Sequence, residues 1–378
     1  MRQLRFITLA ITVLLQTTNT IAGTPLGLLK RVGTFIDSAA VRGVDRRYID
    51  APEKPWQIIV KGNVNQSDVK MKAQGDIFGL NYSAEPRLKI EPATYVGLWA
   101  GYRGYGFGYS INVSGDKGSY FTIGATGGSY GVNIRIHNFK NSEPDFKLNI
   151  DDVDIDSEVS DDNEAADDKA QLMSPIKVHT VIADGYYLFN GKHFSYAAAY
   201  DQSVIQKRSA GSLMAGAMYY YSSVDYADNT NADLIYFMKG IGEIKLWQGS
   251  VGIGYAYNWV PFKGMLVNAM VMPMVTLINK IRIYKYTTNT LEIALDPRAR
   301  EEDGEEWYYD NLRIEEAGKQ TTNSNISINF DARLSLTYNF GRYFINAYGQ
   351  FCNFRYHHDD SHGYMNDWYV NAALGIRL

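Results

Sequence analysis

A few residues have the types and spacing that hydrolysis needs. His193 and Ser195 lie two apart in KHFSY, and Ser209 and Ser212 follow in RSAGSL. A lipid-facing hydrolase needs a serine, a histidine and an orienting amide or acid within hydrogen-bond reach. Residues two apart on a strand share a face, so contact between His193 and Ser195 is conceivable. However, aromatic residues flank Ser195, and the His-x-Ser-Asn pattern of membrane phospholipases is absent. We therefore expect no enzyme and keep a membrane lipid hydrolase as the alternative.

Two hydrophilic stretches contain metal-ligating side chains. The acidic run DDVDIDSEVSDDNEAADD (151–168) lacks the sixth-position glycine and the twelfth ligand of an EF-hand, which favours a solvated or disordered loop over weak divalent binding. The second stretch, HHDDSHG, mixes imidazoles and carboxylates that can bind zinc, but its spacing fixes no tetrahedral site. We expect a hairpin tip there, no metal and no cofactor, and keep as weak candidate ligands His357, His358, Asp359, Asp360 and His362.

Other charged residues alternate with apolar ones, as in NISINFDARLSLTYNF (325–340), where every even position is apolar and every odd one polar. This period of two is typical of a strand with one apolar and one polar face. In a barrel the charges would face the lumen, where they could line an aqueous path or form an internal salt-bridge plug; the plug is preferred for a narrow interior. The predicted lumen-facing charges are Arg135, His137, Asp331, Arg333 and Arg377.

Composition supports a strand-rich chain. The 378 residues include 29 Tyr, 34 Gly and only 10 Pro, which fits many strands and turns. The net charge of -4 shows no basic excess, so we expect no nucleic-acid partner. Cys352 is the only cysteine, which excludes an internal disulfide and favours an inert packed thiol over a catalytic one.

The N-terminus has the order of a secretory signal peptide. Two arginines precede the apolar run FITLAITVLL, and the small-residue site Thr20-Ile21-Ala22 predicts cleavage after Ala22. The run is short for a spanning helix, which disfavours a membrane anchor. We therefore expect export, with residues 1–22 as signal peptide, 23–55 as a periplasmic segment with a short helix, and 56–378 as an outer-membrane β-barrel.

The predicted fold class is all-β: a transmembrane antiparallel up-and-down β-barrel of about twelve strands (10–14), with short periplasmic turns and longer outer loops. The alternative is a soluble sandwich, but its outer face would carry more Lys and Glu and its strands would be shorter. Aromatic ends of the strands indicate membrane interfaces, with lipid-facing Tyr255, Tyr257, Trp259, Tyr338 and Phe340. The predicted strands are 94–102, 104–113, 119–126, 129–139, 176–189, 193–203, 211–225, 247–259, 264–286, 325–340, 342–357 and 364–378.

The connections predict which end of the barrel each loop joins. Tight turns are expected at 339–342, 261–264 and the Asn-Gly of 190–192. Pro273 should sit at a bulge or near a rim, since it has no amide hydrogen. Counting strands back from a periplasmic C-terminus puts the acidic loop 141–174 on the short-turn side. That is either a real exception or a miscount around 176–210, where alternation is weakest.

Two phrases resemble a known family. DGYYLFNGKHFSYAAAYDQ (184–202) with KRSAGSLMAGAMYYY (207–221), and then GSVGIGYAYNWV (249–260), are similar to a domain-of-unknown-function family of Gram-negative outer-membrane barrel proteins. The resemblance implies fold and location over most of residues 30–378, and no activity. It leaves open a small-solute or lipid-related pore or a surface scaffold. Expected partners are outer-membrane lipids and the barrel-assembly machinery, which would engage the C-terminal strand.

Overall fold

The structure is a computed structural model. It describes residues 34–35, 37–39, 41–77, 80–89, 93–114, 118–141, 145–150, 172–301, 304–323, 326–358 and 361–378. Within these ranges only the backbone is described for 67–77, 80–89, 145–150, 354–358 and 361–365. The predicted signal peptide and the acidic run 151–168 lie outside the described residues.

Twelve antiparallel strands form one closed barrel. Each strand pairs with its neighbours in the chain, and the last strand pairs with the first, from Gln57↔Arg377 to Lys72↔His362. The predicted up-and-down barrel of twelve strands is thus confirmed. The strands are β1 Trp56–Ile77, β2 Ala93–Tyr102, β3 Tyr105–Ser114, β4 Ser119–Thr126, β5 Tyr130–Asn141, β6 Ile176–Leu188, β7 Ala210–Asp225, β8 Ile241–Trp259, β9 Met265–Thr288, β10 Ser327–Phe340, β11 Tyr343–His358 and β12 Ser361–Arg377.

The wall has its apolar face outward. On β10, Ile328 is 70% exposed and Leu334 60%, whereas Asp331 is 0% exposed and Arg333 6%. A soluble sandwich would bury the apolar set instead, so this distribution of exposure is that of an outer-membrane type of barrel. The alternation in the sequence determines it, because successive side chains of a strand point to opposite faces.

The predicted number of strands is right, although two of the assignments are wrong. Residues 193–203, predicted as a strand, lie inside the barrel and contain a short helix, α1 (Tyr196–Tyr200). The predicted set also lacks Trp56–Ile77, which is the strand that closes the barrel. Removing 193–203 puts both ends of the acidic loop, Asn141 and Ile176, at the end of the barrel opposite the chain's C-terminus. The conflict over that loop was therefore a miscount.

Short turns join the strands at the end where β12 finishes. Arg103 and Gly104 both have positive φ (51° and 93°), as a two-residue hairpin turn requires. The turns predicted at 339–342 and 261–264 join β10 to β11 and β8 to β9. The hairpin predicted at Asn190-Gly191 is wrong, because the chain there turns inward instead of starting a paired strand.

Pro273 occupies the middle of β9, not a bulge or a rim. It pairs with Phe330 of β10, while on the β8 side the ladder skips Ile253 and Gly254 and resumes in the same register. Proline has no amide hydrogen to donate, so the interruption lies on the β8 side only. The register is the same on both sides of the gap, at Gly252↔Met274 and at Tyr255↔Val271.

The opposite end carries the longer connections. Three further strands extend the wall there, Leu80–Lys89, Asp145–Ile150 and Ile314–Asn323. The helices are α2 (Ala232–Phe237), α3 (Thr290–Leu295) and α4 (Gly304–Asn311), with single 3₁₀ turns at Asn229–Asn231 and Pro297–Arg300. Among the described residues, none of the helices has the length and apolar character needed to span a membrane.

Candidate lumenal site

The connection between β6 and β7 folds into the barrel. We call its buried part, residues 194–206, the plug. Ser195 starts α1 as N-cap, since its Oγ accepts the amide of Ala198 at 3.2 Å. The helix is YAAAY, and its three alanines are at most 2% exposed. Alanine favours helix and takes little volume, so one helical turn fits inside a narrow barrel.

An N-terminal segment, residues 45–50, bonds to both ends of the plug region. Ile49–Asp50 pairs antiparallel with Ile205–Gln206, and the Asp45 amide donates to the Lys192 carbonyl at 2.8 Å. The Asp45 carboxylate lies 3.7 Å from Nε2 of His193. Hydrogen bonds from the Arg47 side chain and amide hold the pKa of Asp45 well below its usual value. The segment before the barrel therefore packs against the plug and its entry at the short-turn end.

The first buried charge cluster, the Arg333 cluster, lies between the wall and the plug. NH2 of Arg333 is 3.0 Å from Oδ2 of Asp331 and 3.2 Å from Oδ2 of Asp184. The Tyr186 hydroxyl accepts from Arg333 and donates to Asp331 at 2.6 Å. Gln350 donates to Oδ1 of Asp331 at 3.0 Å. Two carboxylates thus pair with one guanidinium, which leaves one excess negative charge when all three groups are ionised, and neutral donors complete the shell.

The same cluster holds the plug. NH1 of Arg333 donates to the Tyr196 hydroxyl at 2.6 Å, and Nδ2 of Asn133 donates to it at 3.0 Å. The Tyr196 ring lies on the backbone of Gly131, where an added Cβ would be 2.7 Å from Cδ1 of the ring. Glycine at that position of the wall makes room for the plug.

Further wall residues anchor the rest of the plug. Tyr200 donates to Oδ1 of Asn268 at 2.5 Å, and Asn258 donates to the Ser195 carbonyl at 2.9 Å. NH2 of Arg377 donates to the Gln202 carbonyl at 2.9 Å. Strands β5, β8, β9, β10 and β12 therefore all hydrogen-bond to the plug.

The second charge cluster, the Arg135–Lys61 cluster, lies on the wall formed by β1 to β5. Nζ of Lys61 donates to Oγ1 of Thr122 at 3.0 Å, and Thr122 stands directly opposite Arg135 in the β4–β5 register. The guanidinium of Arg135 lies 5.6 Å above the Tyr369 ring. Both of its terminal nitrogens are buried and have no hydrogen-bond partner among the described residues.

A cavity of about 90 Å³ separates the two clusters. Lys61, Arg135 and Arg333 line it, together with the plug residues Tyr196 and Gln202. Its floor includes Trp99, whose ring lies on glycines of the neighbouring strands: an added Cβ at Gly106, Gly108 or Gly124 would come within 2.8–2.9 Å of the indole. The volume is well above the ~10–15 Å³ that one water needs. The lumen therefore holds the plug and, beside it, a polar space.

The structure places all five predicted lumenal charges inside the barrel. Arg333 pairs with Asp331 and also bonds to the plug, and Arg377 bonds to the plug. His137 is hydrogen-bonded through Nε2 to the Tyr95 hydroxyl at 2.9 Å, and Arg135 lines the cavity. The predicted lipid-facing aromatics lie on the outer face, each 40–53% exposed: Tyr255, Tyr257, Trp259, Tyr338 and Phe340.

The candidate nucleophiles serve structural contacts. Ser195 is 3% exposed inside the barrel, whereas the lipid hydrolase kept as the alternative would have its serine on the outer wall. His193 bonds through Nδ1 to Asn190 at 3.1 Å. Ser209 accepts the Val260 amide, and Ser212 accepts the Asn190 amide. Cys352 is a buried free thiol beside Asp331.

The predicted metal ligands near 357–362 fall where the structure describes no side chains. Within the residues that it does describe, no group of three or more His, Cys, Asp or Glu side chains could hold a metal ion.

Several site residues were missed from the sequence: Lys61, Trp99, Asp184, Tyr186, Tyr196, Tyr200 and Gln350. One sequence feature does indicate the helical turn of the plug. Ser195 followed by Tyr-Ala-Ala-Ala-Tyr is an N-cap with two tyrosines at i and i+4, which predicts a helical turn with both rings on one side.

Family comparison places the chain by sequence. Residues 43–377 match the family described as domain of unknown function DUF4421. The match covers most of the chain, so the protein belongs to this family, and the resemblance seen in the two sequence phrases is confirmed. The sequence matches none of the curated proteins with which it was compared.

Solved structures with some likeness include an autotransporter domain, a toluene transporter and an outer membrane protein. The β domain of the Bordetella autotransporter BrkA is 9% identical, with TM-score 0.31, over 86% of this chain and 100% of that chain. The toluene transporter TodX of P. putida is 9% identical, with TM-score 0.27, over 87% and 91%. OprG of Pseudomonas aeruginosa is 11% identical, with TM-score 0.26, over 88% and 98%. These scores are low, so the fold assignment depends on the strand pairing of this chain.

Proposed function

We propose that the protein is an integral outer-membrane barrel that works as a gated pore for a small polar solute and is closed at rest by the plug. The observation that carries this proposal is a polar lumenal cavity lined in part by the plug, which hydrogen-bonds to five strands of the wall. An open porin has no such segment across its whole lumen, and a purely structural barrel of this size needs no polar cavity.

The outer surface supports insertion in the membrane. Exposed apolar residues cover the strands, and near the short turns Tyr338, Phe340 and Tyr343 form a row of ring contacts at 5.8–5.9 Å. Aromatic rows of this kind lie at membrane interfaces. Export through the N-terminal signal peptide, and insertion by the barrel-assembly machinery through β12, are parts of the same proposal.

The proposal is nonenzymatic. Ser195 is the N-cap of α1 and its oxygen accepts an amide, so it is not available as a nucleophile towards lipid. The closed single sheet also differs from the two stacked sheets of the soluble alternative.

Membrane insertion is tested first. The protein should remain in the membrane fraction after carbonate extraction and should migrate differently on gels before and after heating. Release as a soluble protein would contradict the proposal.

Gating is tested by overpacking the contact between wall and plug. Gly131→Val should force the Tyr196 ring away and raise single-channel conductance in planar bilayers above a nearly silent wild type. Gly185→Val is the matched control, because Gly185 lies on the neighbouring strand facing outward and its nearest neighbour to an added Cβ is 3.8 Å away. An open wild type, or a Gly131→Val variant as silent as wild type, would contradict a plug that gates the pore.

A further inference from the structure

The Arg135–Lys61 cluster contains charges that the protein does not neutralise by direct contact. Arg135 is 5% exposed and Lys61 8%, so both cations are largely removed from water. A buried charge is costly unless it is paired and hydrogen-bonded. Lys61 has only a hydroxyl partner, and both terminal nitrogens of Arg135 have none among the described residues.

The surrounding carboxylates do not satisfy these donors. Asp184, which also lines the cavity, bonds through Oδ2 to Arg333 and to Asn133, and its Oδ1 has no hydrogen-bond partner among the described residues, Arg135 included. Asp201 accepts hydrogen bonds from Thr126 and from the Ser203 amide. Asp367 attracts Arg135 electrostatically, but no described acceptor, Asp367 included, hydrogen-bonds to the terminal nitrogens of Arg135. The two terminal nitrogens of Arg135 thus have no hydrogen-bonded acceptor among the described residues, and Arg135 lines the cavity.

Geometry favours an oxyanion as the missing partner. The two terminal nitrogens of a guanidinium form a fork that matches the two oxygens of a carboxylate or phosphate, whereas water satisfies the donors without neutralising the charge. Lys61 reaches the same wall, because its Nζ is bonded to Thr122, the residue that pairs with Arg135. The cavity lies in front of all three side chains.

We propose that Arg135 and Lys61 form a binding site for a small oxyanion, a carboxylate or phosphate group, in the lumenal cavity. This proposal rests on the proposed function and names the class of solute that the barrel holds. The Tyr369 ring lies 5.6 Å from the guanidinium of Arg135, and the Trp99 ring lies 5.5 Å from Nζ of Lys61.

Binding is measured on the full-length protein in detergent, so that it does not depend on conductance. Sodium acetate and sodium phosphate are titrated against a constant ionic strength set with chloride, and tryptophan fluorescence and calorimetry report binding. We expect wild type to give a saturable signal with at least one of the two anions. In Trp99→Phe the fluorescence signal should be lost, whereas the calorimetric signal should remain. The preferred anion distinguishes an organic acid from a phosphate as the ligand.

Arg135→Gln should weaken binding by roughly tenfold or more, the value of a lost hydrogen-bonded charge. Lys61→Met should weaken it as well and serves as a second variant if the first does not fold. Arg342→Gln is the matched control, since Arg342 is exposed on a turn. The site is disproved if neither anion binds, or if Arg135→Gln and Lys61→Met bind as the control does. A silent Gly131→Val pore with intact binding would contradict the gating proposal alone.

Discussion

Two arginines lie inside the same barrel in opposite electrostatic situations. Arg333 is bonded to two carboxylates, to two tyrosine hydroxyls and to the plug, whereas Arg135 has a ring beneath it and no hydrogen-bonded acceptor on its terminal nitrogens. Both are at most 6% exposed. The two arginines are similarly buried but differently paired, so they differ in role. Arg333 joins the plug to the wall, whereas Arg135 lines a cavity and has two terminal nitrogens without a bonded acceptor among the described residues.

The largest change in the free energy of unfolding should come from replacing Arg333 by methionine. Arg333→Met leaves Asp184 and Asp331 buried without a cation, which should lower the free energy of unfolding by ~3–5 kcal/mol. Urea unfolding in lipid vesicles measures this quantity. A loss below about 1 kcal/mol would mean that the Arg333 cluster does not stabilise the fold.

A smaller loss should follow when only the link to the plug is cut. Tyr196→Phe removes the hydroxyl that accepts from Arg333 and Asn133, leaving buried donors unsatisfied at a cost of about 1–3 kcal/mol. The plug should also loosen, so that a maleimide labels Cys352, the only thiol, faster than in wild type. Unchanged labelling together with unchanged stability would show that Tyr196 is not a link between plug and wall.

The smallest effect is expected at the second arginine. Arg135→Met removes a buried charge that lacks a bonded partner, so the free energy of unfolding without added anion should stay within about 1 kcal/mol of wild type or rise. A loss as large as that of Arg333→Met would contradict the contrast between the two clusters. Added phosphate or acetate should stabilise the wild type more than this variant.

The parts predictable from the sequence are those fixed by local periodicity. In 325–340 the strict alternation decides which residues face the lumen, and it places Asp331 and Arg333 there without any knowledge of their partners. The run Trp56-Gln-Ile-Ile-Val blurs that signal, because Ile59 faces inward between Ile58 and Val60, which face outward. For this reason the first strand is absent from the predicted set.

The candidate site was less predictable because nonlocal packing decides it. Residues 193–203 have only weak alternation, and their position inside the barrel depends on Gly131, Arg333 and Arg377, which are far away in the chain. The neighbours of Arg135 in the lumen, Lys61, Thr122 and Tyr369, likewise come from β1, β4 and β12. No local sequence pattern predicts that Arg333 pairs with two carboxylates whereas the terminal nitrogens of Arg135 bond to none among the described residues.

Closure of the wall has a consequence for the order of folding. Gln57 pairs with Arg377, so the barrel cannot shut until nearly the whole chain is present. Contacts between such distant residues form late, since their loop-closure entropy must be overcome first. A chain stopped before β12 would leave β1 and β11 as unpaired edges open to aggregation. The plug, which lies midway along the chain between β6 and β7, is enclosed only by that last pairing, so sealing the wall and trapping the plug are one event.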